Sequence, residues 1–239
     1  VSAAGVSGWV GVQLSSFHGA LSSGGSFYYH TALTASGVTP PLGPERGGTR
    51  VSVLGGGFRD AYTLRCAFGS ASAPVLARYV DESQLECSSP VHAAGGVGVQ
   101  LSSFHGALSS GGSFYYHAAL TASGVAPSLG PERGGTRVSV LGGGFRDAYT
   151  LRCGFGSASA PVLARYVDES QLECSSPVHV AGSVDVLLSM NGQQYASTGL
   201  SFTYQPAASV SFVSPATVLA EGRTPLTVHG SRFSSASEP

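Results

Sequence analysis

The chain repeats itself, and that constrains its fold more than any other feature. Setting residues 11–95 beside 98–182 aligns 85 positions without a gap, and five of them differ: Thr31/Ala118, Thr39/Ala126, Pro41/Ser128, Ala67/Gly154 and Ala93/Val180. The period is 87 residues, so whatever one repeat folds into, the next folds into as well. A diverged third phase follows, in which 201–233 lines up with 113–145. Both ends fall inside a repeat: Val1 corresponds to Ser88, and Pro239 precedes the place where the next first cysteine is due. The expectation is a window on a longer polypeptide. It would hold the C-terminal part of one module (1–30), two complete modules (31–117 and 118–205) and the N-terminal part of a further one (206–239).

Within a repeat the apolar residues alternate with polar ones over short runs bounded by Gly, Pro and Ser, which is the signature of strands. In 47–58 the alternation puts Val51 and Val53 on one face and Arg50 and Ser52 on the other. In 63–68 Leu64, Cys66 and Phe68 point inward, and in 83–87 Leu85 and Cys87 do. The runs 97–101 and 113–116 then supply Val97, Val99, Leu101, Phe114 and Tyr116 as closing strands. A chain rich in Gly and Ser can be disordered, but 42% apolar residues laid out in this pattern specify folded units.

Charge excludes a class of partner. The acids Glu45, Asp60, Asp81, Glu82 and Glu86 balance the arginines Arg46, Arg50, Arg59, Arg65 and Arg78, so a repeat is neutral. Without a basic stripe there is no electrostatic footprint for nucleic acid or an anionic membrane surface.

Each complete repeat has two cysteines, Cys66 with Cys87 and Cys153 with Cys174. A repeated module can form only an intradomain pairing independently of its neighbours, and such a bridge stabilises by about 3 kcal/mol on the chain-entropy estimate. Buried free thiols are the alternative. Zinc is disfavoured because no C-x-x-C or H-x-x-x-H accompanies the cysteines. Pairing would imply an oxidising compartment, so an extracellular or cell-surface location is expected.

The motifs GPERGGTRVSVLGGGF (43–58), LRCAFG (64–69), SQLECSSP (83–90) and VDVLLSMNGQQYASTGLSFTY (184–204) occur in that order, and the unit resembles the IPT/TIG domain of plexin and hepatocyte-growth-factor-receptor ectodomains. The resemblance implies an all-β chain of tandem immunoglobulin-like β-sandwiches (IPT/TIG, early-set type) arranged end to end. It also implies a paired cysteine at Cys66 and Cys87, and a closing hairpin turned tightly at Asn191-Gly192. It assigns no activity, because members serve as receptor ectodomains, parts of transcription factors and accessory modules of starch-acting enzymes.

No catalytic set emerges. His18/His105, His30/His117 and His92/His179 are three positions repeated, none at ligand spacing. Asp81-Glu82 and Asp168-Glu169 read as solvated turns, since a calcium loop needs further oxygens. The run 55–58 lacks the Gly-Lys-Ser/Thr of a phosphate loop, and no G-x-S-x-G elbow occurs. No catalytic, cofactor-binding or metal-binding residue, and no cofactor, is therefore expected. Asn191 fails the N-glycosylation pattern, while O-linked glycans around Thr39-Pro40-Pro41 are compatible with the sequence.

Little chain lies between repeats. Tyr29, His30, Tyr116 and His117 end one unit, and Pro40 and Pro127 stiffen the start of the next; these six are the inter-domain contact candidates. Near-identity even in the loops suits a non-catalytic extracellular rod, the shaft or spacer of a surface filament, appendage or matrix fibre whose partners are copies of itself or neighbouring repeats. The alternative expectation is an ectodomain segment of a cell-surface adhesion or ligand-binding receptor.

Overall fold

Short alternating runs punctuated by glycine become strands, and the computed structural model places them as two repeated sandwiches. It describes residues 8–15, 17, 19, 21–29, 33–60, 63–70, 73–103, 106–157, 160–218, 220 and 222–233. Among these residues there is no helix. The chain divides into two compact units, Val1–Ala118 and Ala119–Pro239.

The first unit opens with an antiparallel hairpin of β1 (Gly8–Ser15) and β2 (Leu21–Tyr29). Its sandwich follows: β3 (Thr34–Thr39), β4 (Leu42–Pro44), β5 (Arg50–Gly56), β6 (Arg65–Phe68), β7 (Val75–Leu76), β8 (Arg78–Asp81), β9 (Gln84–Ser88), β10 (Gly95–Ser103) and β11 (Gly106–His117). One sheet has the order β3-β5-β9-β8, and the other β4-β11-β10-β6-β7. All pairings are antiparallel except β4 with β11.

The second unit repeats this with β12 (Thr121–Ala126), β13 (Leu129–Pro131), β14 (Arg137–Gly143), β15 (Arg152–Phe155), β16 (Val162–Asp168), β17 (Gln171–Ser175), β18 (Gly182–Ser189) and β19 (Ala196–Gln205). A ribbon of β20 (Ser209–Ser214) and β21 (Thr227–Ser231) follows. Here β16 crosses between the two sheets: Val162 and Leu163 pair with β15, and Ala164 to Asp168 pair with β17. In the first unit the same stretch breaks at Ala77 into β7 and β8, one on each sheet.

The inward residues of the sequence pattern fill the space between the sheets. Val51, Val53, Leu64, Phe68, Leu85, Val99, Leu101, Phe114 and Tyr116 are all buried. Phe68, Phe114 and Tyr116 meet edge to face, with centroids 5.4, 6.4 and 4.9 Å apart. Phe155, Phe202 and Tyr204 reproduce the arrangement at 5.4, 6.4 and 5.0 Å. Edge-to-face packing places the positive ring edge on a negative face, which adds about 0.5–1.5 kcal/mol per pair beyond burial. Beside these rings Cys66 on β6 bonds Cys87 on β9, and Cys153 on β15 bonds Cys174 on β17, each with a Cα separation of 6.4 Å. Each disulfide joins one sheet to the other.

Glycine is required where backbone meets backbone. A Cβ on Gly142 would lie 1.9 Å from the carbonyl oxygen of Thr121, and one on Gly55 1.9 Å from that of Thr34. These glycines let β12 and β3 close on β14 and β5.

The closing hairpin of the second unit departs from the expected tight turn. Six residues, Met190 to Tyr195, separate β18 from β19, and only Gly192 has positive φ. A two-residue turn of the Asn-Gly kind needs positive φ at both positions. Here Asn191 is buried instead, and its Oδ1 accepts the N–H groups of Gln193 (3.0 Å) and Gln194 (3.1 Å). Ser189 Oγ accepts from Gly192 N–H at 2.9 Å, and Thr150 Oγ1 donates to the Met190 carbonyl at 2.7 Å. A side-chain amide thus organises the loop. In the first unit the corresponding Phe104 and His105 lie outside the described residues.

Three substitutions test this packing. Gly142→Ala is expected to cost about 1–3 kcal/mol by overpacking, lowering the melting temperature by roughly 5–20 °C. Gly98→Ala, where nothing lies within 4 Å of the new Cβ, is expected to stay within about 0.5 kcal/mol. Cys66→Ser is expected to cost about 3 kcal/mol in urea unfolding, and reduction of the wild-type chain a comparable amount.

Candidate functional site

Of the residues the sequence offers for chemistry, His92, His179, Asp81 and Asp168 are engaged in packing and turns. His92 and His179 lie flat against Tyr116 and Tyr204, with centroids 4.8 and 4.9 Å apart. Their Nδ1 atoms are 2.8 Å from the carbonyls of Ala93 and Val180. With Nδ1 as the donor to those carbonyls, each imidazole serves as a packing plate. His18, His30 and His105 lie outside the described residues.

Asp81 Oδ1 accepts from both the N–H (2.8 Å) and the hydroxyl (2.7 Å) of Ser83, and Asp168 does the same with Ser170 at 2.7 Å for both. The serine hydroxyl, followed by the serine N–H, holds each carboxyl below its ordinary 3.8. These acids are turn-formers. Among the described residues no group of three or more His, Cys, Asp or Glu side chains gathers to hold a metal ion.

Of the junction candidates, Tyr29 ends β2, and its side chain lies, like all of His30, outside the described residues. Pro40 is buried and Pro127 exposed. Tyr116 is fully buried in the core of its own sandwich. His117 ends β11; its carbonyl accepts the Glu45 N–H at 2.9 Å, and its Nδ1 lies 2.8 Å from the Ala118 carbonyl. Three residues, Ala118 to Leu120, separate β11 from β12.

A polar cluster that sequence reasoning missed lies on the outer face of the sheet β3-β5-β9-β8. Glu86 sits between two arginines, with Arg50 Nε 2.9 Å from Oε1 and Arg78 Nη2 2.6 Å from Oε2. Beside them Gln84 Nε2 donates to Ser52 Oγ at 3.0 Å. The register that pairs Arg50 with Ser88 and Arg78 with Glu86 brings these side chains onto one face. The second unit repeats the cluster: Arg165 Nη2 is 2.6 Å from Glu173 Oε2, and Gln171 Nε2 is 3.3 Å from Ser139 Oγ. Exposed pairs of this kind contribute about 0–1 kcal/mol each, so they shape a surface more than they hold the fold. The signal was present in the sequence as an Arg and a Glu eight residues apart across a hairpin, legible only once the register is known.

The sequence profile of the IPT/TIG domain matches residues 33–116 and again 120–204. The chain belongs to the IPT/TIG domain family. Human Plexin-A3 is 27% identical over 239 residues, covering 92% of this chain and 12% of its own length. Human Fibrocystin-L is 26% identical over 200 residues, covering 82% and 5%. The chain thus spans 12% or less of the length of these relatives. Among solved structures, the full extracellular region of Plexin A4 superposes with a TM-score of 0.56 at 21% identity, over 84% of this chain and 18% of that one, a likeness of fold.

The two IPT/TIG modules differ at the end of the last strand, where His117 of the first aligns with Gln205 of the second. Burial pushes the His117 imidazole below its ordinary 6.5; the Ala118 carbonyl opposes this, the Arg46 guanidinium adds to it and the Glu45 carboxylate opposes it. The folded chain then binds this proton less readily than the unfolded chain does. The stability His117 provides is complete above 6.5 and falls as pH drops below that value toward the lowered folded pKa. Unfolding measured from about pH 7 to about pH 5 should show that loss in the wild type and less of it in His117→Gln.

Proposed function

We propose that this chain is a non-catalytic segment of the ectodomain of a cell-surface receptor of the adhesion or ligand-binding kind, lying outside the cell. The observation that carries the reading is the similarity to human Plexin-A3 over 92% of the chain, through tandem bridged modules rather than one isolated domain. The two disulfides point the same way, since such bonds persist in oxidising compartments. Within such an ectodomain the modules act as spacers and bearing surfaces. Among the described residues His92 and His179 are engaged in packing, and Asp81 and Asp168 in turns.

The near-identity of the two repeats favours a second reading, the shaft of a surface filament in which equivalent units meet copies of themselves. The plexin-like relatives support the receptor reading over it.

The experiment is to express the full reading frame containing this chain with an epitope tag and to label intact cells with a membrane-impermeant biotin reagent. The receptor reading expects a biotinylated protein that stays with the membrane after alkaline carbonate washing. A biotinylated protein that washes off and forms fibres in electron micrographs would replace it with the filament reading. A cytosolic pool with reduced cysteines would overturn both.

A further inference from the structure

Where β16 crosses from one sheet to the other, the second unit opens a cleft of about 690 Å³. This lies within the range of roughly 300–1,000 Å³ usual for small-molecule sites. Its lining includes Asp147 and Tyr149 from the segment leading to β15, Arg137 of β14, Arg165 of β16, Glu173 of β17, and Leu163 at the crossing. Tyr149 is 69% exposed and Leu163 68%, so the cleft offers a ring and an aliphatic side chain to solvent.

Its charges cancel, two arginines against two carboxylates. The cleft therefore has no net attraction for a polyanion. What it offers is donors and acceptors side by side. Arg165 engages Glu173 through Oε2 alone, by Nε at 3.0 Å and Nη2 at 2.6 Å. In the first unit the remaining oxygen of the equivalent Glu86 is taken by Arg50, at 2.9 Å. Among the described residues of the second unit, Arg137 makes no such ion pair within 4.0 Å. The cluster is thus latched in one repeat and open in the other, on the same residue types.

A ligand that fits is uncharged, carries closely spaced hydroxyls that both donate and accept, and has an apolar C–H face for an aromatic ring. We propose that the cleft binds neutral oligosaccharides: Tyr149 stacks on a pyranose face, Arg137 donates to ring hydroxyls, and Asp147 and Glu173 accept from them. Planar guanidinium and carboxylate groups suit vicinal hydroxyls because each presents two atoms in one plane. This inference goes beyond the receptor reading and does not depend on it, since the cleft belongs to the module itself.

The test is an NMR titration of this chain, following the amides of 147–149 and 163–173. The probes are neutral hexasaccharides of gluco-, manno-, galacto- and xylo-configuration, with a heparin-derived hexasaccharide as the charged comparison. At least one neutral probe is expected to shift these amides with a Kd below about 1 mM, Tyr149→Ala to weaken it about tenfold or more, and Tyr149→Phe to leave it within about threefold. The melting temperature of each variant is measured alongside, and Tyr149→Ala is read as a loss of binding only where its amide spectrum stays that of the folded chain. The proposal is overturned if no neutral probe reaches that affinity, if Tyr149→Ala leaves it unchanged, or if only the sulfated probe binds.

Discussion

The structure depends on two sheets being held face to face by a covalent bond and three rings. A sandwich of this size buries about 60–65% of the surface its unfolded chain exposes, a marginal fraction for one core. The bond from β6 to β9 and the cluster of Phe68, Phe114 and Tyr116 act at the same place, between the sheets. The chain contains its own control. Val12 of the first hairpin is 46% exposed, while Val99 in an identical local sequence is 0% exposed. Val140 is 0% exposed in the second sandwich, and its counterpart Val228 in the last ribbon is 47% exposed. Alternation makes a strand, but only the opposite sheet makes a core.

Much of this was legible in the sequence because period-two patterning needs no tertiary knowledge. Val51, Val53, Leu64, Phe68, Leu85 and Leu101 could be placed inward from their spacing alone, and all six are buried. What escaped were features that depend on partners far along the chain. The short parallel pairing of β4 with β11 joins Leu42 to Tyr115, with no local pattern to announce it. The crossing of β16 is set by which sheet each half meets, and Val162 and Ala164 look alike in a hydropathy pattern. At Asn191-Gly192 a familiar turn dipeptide was outcompeted, because the asparagine amide finds two backbone N–H groups within its own loop.

The candidate surface was less legible than the fold. The histidines and adjacent acids draw the eye first, and among the described residues His92 and His179 are spent on ring stacking and Asp81 and Asp168 on turns. The polar cluster on the outer sheet face joins exposed arginines to a largely covered glutamate, neighbours through strand register. Across each module the formal charges nearly cancel, the first balancing its acids and arginines and the second keeping one extra acid, Asp185, so neither carries a strong long-range field. The closing hairpin, where Phe104-His105 gives way to the Asn191 loop, is where the two modules differ most in sequence.

That the bond joins the two sheets within each module is the claim the rest stands on, and peptide mapping without reduction reads it directly. Trypsin leaves Cys66 and Cys153 in the peptides 66–78 and 153–165, which differ by Ala67 against Gly154. Their partners, 79–133 and 166–223, differ in length, so every pairing has its own mass. The account predicts 66–78 joined only to 79–133, and 153–165 joined only to 166–223. Peptides crossed between modules, or thiols open to alkylation in the folded chain, would contradict it.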